Sequence, residues 1–194
     1  ISTEGAQDWE HFVIGDQHFL VVANAYRTSD DNYDLDSIIY LYDGTRSSNP
    51  FQIFQRIKTK GGADWEHFVI DDQHFLVVAN HHSRQGSVFS NQNSIVYKYD
   101  LAQSPGPFYS VQSIPTYGAR DWEHFVIGDE HFLVVANHLK SHFNNDDERT
   151  INSVVYKYDP PQSSSASFQP FQSILTNAAT DWEHFIIDDQ HYLV

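Results

Sequence analysis

The chain has 194 residues, 40% hydrophobic and 15% aromatic, with no cysteine and no methionine. This ring content is far above that of a disordered chain, and the lack of cysteine removes disulfides, thiolate metal sites and cysteine nucleophiles. Its 11 basic and 26 acidic residues give a net charge of −15, which disfavours nucleic acid and anionic lipid and favours cations or basic proteins. No apolar run approaches the ~20 residues of a membrane-spanning helix, so membrane insertion is not expected.

In chain order, the first element opens on Asp-Trp-Glu-His-Phe at Asp8. The pentapeptide returns at Asp64, Asp121 and Asp181, at spacings of 56, 57 and 60 residues. A second run, HFLVVAN in the full copies, follows across Gly15-Asp16, Asp71-Asp72, Gly128-Asp129 or Asp188-Asp189, pairs that suit a tight hairpin. A third run begins at Ser37, Ser94 and Ser153 and ends in Tyr-Asp. A fourth reads FQIFQRIKT at 51–59, FYSVQSIPT at 108–116 and FQSILT at 171–176. These runs are short, rich in Val, Ile, Phe and Tyr, and bounded by turn residues, which predicts strands. No window keeps helical spacing.

Four antiparallel strands in a tandem unit of this size predict a β-propeller blade. The expected architecture is all-β, one domain over 1–194, with repeats starting near 8, 64, 121 and 181. Ile1-Ser-Thr aligns with Ile57-Lys-Thr, so the chain begins late in a fourth strand and breaks off early in a second. That is about 3.4 blades, fewer than a closed ring holds, and is read as a window on a longer array. The connections between second and third strands are polar, differ in length and differ in sequence, which marks them as the place for specificity.

Asp-x-Glu-x-Phe, Phe-Leu-Val-Val-Ala-Asn, Ser-x-Val-Tyr-Lys-Tyr and Phe-x-x-x-Gln-x-Ile-x-Thr, in that order, resemble the epilepsy-associated repeat, also called EPTP. The resemblance covers essentially all of the chain. It implies blades of a seven-bladed propeller in a secreted or extracellular protein, with protein–protein recognition and no catalysis. The copies here are longer, and more alike, than is usual for that family.

Strand alternation sets Asp8, Glu10 and Phe12 against Trp9, His11 and Val13. With the first strand innermost, Asp8, Asp64, Asp121 and Asp181, with Glu10, Glu66, Glu123 and Glu183, gather near the axis. Hard oxygen ligands suit Ca²⁺, although caps on strand entry and pairing between blades are the favoured reading, and no cofactor is required. Trp9, Trp65, Trp122 and Trp182 are candidates for ligand stacking, with inter-blade wedges preferred. His11 and His18 are expected to lie about 7–10 Å apart along the strand, too far to share an ion. His81, His82, His138 and His142 sit in the variable loops as candidates for ligand or adventitious metal binding. Ser37, Ser94 and Ser153 are expected to bond backbone, and no catalytic motif is present.

These observations favour a non-catalytic extracellular binding module for a protein partner. A multivalent glycan-binding lectin, with one weak site per blade joined by avidity, and a self-assembling matrix protein forming homo-oligomers are the alternatives.

Overall fold

The structure is a computed structural model that describes residues 1, 3–82, 91–104, 106–140, 148–160 and 168–194. The first blade comprises β1 (Ala6–Ile14), β2 (Gln17–Asn24), β3 (Asp36–Tyr42) and β4 (Phe51–Lys58). The second comprises β5 (Gly62–Ile70), β6 (Gln73–Asn80), β7 (Asn93–Tyr99) and β8 (Phe108–Pro115). The third comprises β9 (Ala119–Ile127), β10 (Glu130–Asn137), β11 (Thr150–Tyr158) and β12 (Phe168–Asn177), and β13 (His184–Ile187) and β14 (Gln190–Leu193) form a hairpin. Each blade is an antiparallel meander paired in chain order. Among the described residues there is no helix.

The blades meet through their first strands: β1 lies beside β5, β5 beside β9 and β9 beside β13. This stacking around an inner line of first strands is the arrangement of a β-propeller. The second strands carry the centre of the core. From Phe75 to Asn80 every residue of β6 is buried, because neighbouring blades cover both sheet faces. The sequence there is therefore a continuous apolar run rather than an alternating one. The fourth strands lie at the outer edge, and β12 is mostly exposed.

The tight hairpins have their backbone reason. Asp71 and Asp72 sit at φ 49° and 59°, as do Asp188 and Asp189, while Gly15 and Gly128 take φ 60° and 63° at the first of these turn positions. Positive φ at both central residues of the two Asp-Asp turns, and at the glycine of the two Gly-Asp turns, matches the twist of the flanking strands.

Candidate functional site

The repeated acids of the first strands hold one blade to the next. Asp8 Oδ2 accepts the Trp65 backbone N–H at 3.4 Å, Asp64 Oδ2 accepts that of Trp122 at 3.0 Å, and Asp121 Oδ2 accepts that of Trp182 at 2.8 Å. Two residues on, Glu66 Oε1 accepts the His124 N–H at 3.1 Å and Glu123 Oε1 that of His184 at 3.2 Å. Side-chain carboxylates thus join first strands that belong to different sheets.

Burial, with the charge of neighbouring acids, raises the pKa values of several of these carboxyls. Burial first, then the charges of Asp121 and Asp8, pushes Asp64 well above the usual carboxylate range. Burial is also the main cause for Glu66, pushed up to about 8, and for Asp121 and Glu10, each pushed up to about 7. Backbone N–H donors oppose these shifts without cancelling them. Among the described residues, no three His, Asp or Glu side chains converge to hold a metal ion.

The tryptophans divide by position. Trp65, Trp122 and Trp182 are buried, each within the apolar cluster that joins its own blade to the preceding one. Trp182 Nε1 also donates to the Val135 carbonyl at 3.2 Å. Of the four, only Trp9, 40% exposed, presents a ring to solvent.

The histidines correct the expected separation along the strand. His11 Nε2 and His18 Nδ1 are 3.1 Å apart; the contact recurs at 3.1 Å for His67–His74 and His124–His131, and at 2.9 Å for His184–His191. The register pairs Val13 with His18 and His11 with Leu20, so the two rings are diagonal neighbours on one sheet face. Large planar side chains close that diagonal, a geometry that a count of rise per residue leaves out. The inner ring of the next pair stacks on a phenylalanine of the blade before it: Phe12 on His67 at 4.7 Å, Phe68 on His124 at 5.0 Å, and Phe125 on His184 at 5.0 Å. Burial, then the neighbouring imidazole, pulls His67 and His124 down to about 4. Both rings are therefore neutral parts of the packing at neutral pH.

Two further repeated contacts carry structure. Ser37, Ser94 and Ser153 are buried with their hydroxyls on Thr59, Thr116 and Thr176 at 3.0, 3.1 and 3.0 Å. The Asn24 and Asn137 N–H groups donate to Ser37 and Ser153. Gln55 and Gln112 clasp the next blade in two directions. The Gln55 amide donates to the Phe108 carbonyl at 2.7 Å and accepts its N–H at 2.9 Å, and Gln112 treats Phe168 in the same way at 2.8 Å in both directions. The Phe-x-x-x-Gln spacing contained that signal.

What differs between blades lies at the end of the axis bearing the second-to-third-strand connections. There His81 stacks on His82 at 4.9 Å and tilts towards His138 at 5.9 Å. His138 Nε2 meets the Arg149 guanidinium at 3.0 Å. His142 lies outside the described residues. Sequence reasoning overlooked Arg120, which stands beside these rings where the other repeats have Gln7, Ala63 and Thr180.

Similarity to known proteins follows the same repeats. The model of the EPTP domain matches residues 1–43, 51–100, 108–159 and 167–194. Proteins of Mus musculus and Homo sapiens named "Thrombospondin-type laminin G domain and EAR repeat-containing protein" are each 38% identical, covering 100% of this chain and 35% of their own. The chain thus spans about a third of the length of the curated relatives it matches, 35%. Among solved structures, the GH43_1 enzyme from Xanthomonas citri complexed with xylotriose superposes with a TM-score of 0.55 at 10% identity, covering 100% of this chain and 67% of that one. At such identity the likeness is one of fold. Repeats, blades and family model agree, and the chain belongs to the EPTP repeat family.

Proposed function

We propose that this chain is a non-catalytic, extracellular protein-recognition module that binds through the blade end carrying the second-to-third-strand connections. One observation carries the reading. The residues that recur from blade to blade are engaged in contacts between and within blades, whereas the connections at 25–35, 81–92 and 138–149 share little sequence. A repeated frame with unlike loops suits one asymmetric protein surface better than several equal glycan pockets. The names of the relatives support an extracellular setting.

The test is binding of the labelled full-length protein to cultured cells after two pretreatments. Trypsin is expected to remove binding and a mixture of glycosidases to leave it. Binding that survives trypsin and is lost to glycosidases overturns the reading in favour of a lectin. Exchanging residues 25–34 for the segment at 81–91, with the buried Leu35 kept, is expected to weaken cell binding at least about tenfold in a protein that still melts cooperatively. Sedimentation of the unmixed protein distinguishes self-assembly, and oligomers that alone account for cell-surface retention also overturn it.

A further inference from the structure

Where the first strand of each blade enters, the ladder slips by one residue. Ala6 pairs with Asn24 and Asp8 with Ala23, leaving Gln7 out of register. Ala63 and Arg120 take the same bulged position in the next two blades. Such a bulge re-aims the side chain it carries and is common at the rims of closed β-structures. All three bulged residues line one cavity of about 360 Å³, which Tyr26, Tyr33, His81 and His82 also line.

Arg120 is the exceptional member of this set. It is half-buried, and among the described residues its buried Nε has no hydrogen-bond partner. Its charged neighbourhood holds Arg149, His81 and His138, and among the described residues no carboxylate pairs with it. Nearby cations behave differently: Arg27 pairs with Glu4 at 2.7 Å and Lys60 with Asp34 at 2.7 Å.

His81 lines the same cavity and adds a second unsatisfied group, since among the described residues its buried Nε2 also has no partner. Burial, then the Arg120 charge, holds it down to about 3, so it is neutral in neutral solution. Beside these groups runs a row of rings. Tyr26 lies 4.7 Å from Tyr33, Tyr33 lies 5.0 Å from His82, and His82 lies 4.9 Å from His81.

A planar guanidinium fork matches a planar carboxylate in two parallel hydrogen bonds. One such fork, with a neutral imidazole and flat rings at its side, suits one carboxylate attached to an apolar or aromatic neighbour. We propose that this mouth pocket receives an Asp or Glu side chain of a protein partner, with the carboxylate on Arg120 and the adjoining residue on Tyr26, Tyr33 and His82. The assignment rests on the protein-recognition reading above and specifies its contact chemistry. The net negative charge of the molecule does not forbid it, because exposed charges more than about 8–10 Å away are largely screened at physiological salt.

The test titrates the full-length protein with N-acetyl-Tyr-Glu-amide, with N-acetyl-Tyr-Gln-amide and with a sulfated heparin disaccharide, read by chemical shifts of the histidine rings. The Glu peptide is expected to bind at least about tenfold more tightly than the Gln peptide, and R120Q to abolish that difference. The variant should fold, since Gln7 already occupies the equivalent bulge. Loss of the Arg120 charge is also expected to raise the titration midpoints of His81 and His138, which reports the change without any ligand. Equal binding of the two peptides, or a difference that survives R120Q, overturns the proposal, as does preference for the disaccharide over the Glu peptide. Trypsin-sensitive cell binding that R120Q leaves unchanged refutes this pocket while leaving the recognition reading in place.

Discussion

Glu66 combines burial, like charges and an inter-blade hydrogen bond in one side chain. Its folded pKa of about 8 stands above the ordinary 4.5, so the folded state holds the proton more tightly than the unfolded one. The stability tied to that proton is complete below pH 4.5 and is lost as pH rises through about 8. The neutral histidines work in the opposite sense. With His67 held at about 4 against an ordinary 6.5, stability falls as pH drops from 6.5 towards 4. The two windows overlap, and above pH 6.5 only the carboxyls act. Thermal stability is therefore expected to decline between pH 6.5 and 8. Glu66→Gln keeps an acceptor for the His124 N–H and removes the charge. It should stabilise the protein at pH 8 by about 1–3 kcal/mol and flatten that decline, as read from melting curves at each pH. A variant that melts lower at pH 8 than the parent contradicts the electrostatic account.

At the level of elements, the hairpins and the outer clasp make separable predictions. Asp71 holds φ 49° where Gly15 and Gly128 occupy the equivalent turns. Asp71→Gly is expected to stabilise the second blade by up to about 1 kcal/mol, measured as a shift in the urea midpoint with unchanged slope. Gln112→Ala removes both hydrogen bonds to Phe168 and should cost about 1–3 kcal/mol; no loss would mean that the clasp is replaced by water. Gly61 shows why one glycine belongs at the mouth. At φ 56° it lies where an added Cβ would stand 2.8 Å from the His82 carbonyl oxygen. The strands themselves were legible in the sequence, since four apolar runs recur with turn residues between them. The histidine pairs were not, because their contact depends on the diagonal of a twisted antiparallel pair rather than on spacing along one strand. Arg120 was hidden for a different reason: the register slip that re-aims it arises only when β9 pairs with β10.

Across the whole molecule, repetition and variation have different tasks. Asp, Trp, Glu and His recur because each blade must present the same groups to the next, and the fixed spacing of DWEHF made that line of first strands readable from the chain alone. The acids could be placed near the axis from alternation. Their acceptance of backbone N–H groups across blades required coordinates, since sequence cannot say which oxygen meets which donor. On the proposed reading, recognition falls to residues outside the repeat pattern, Arg120 among them. The most direct test of this division is hydrogen exchange at the backbone N–H of Trp122, followed by NMR in the parent, in Asp64→Ala and in R120Q. The Asp64 carboxylate accepts that N–H at 3.0 Å, so Asp64→Ala is expected to speed its exchange about 10–100-fold, while R120Q leaves it as slow as in the parent. Slow exchange at Trp122 in all three proteins would contradict the claim that repeated acids join the blades.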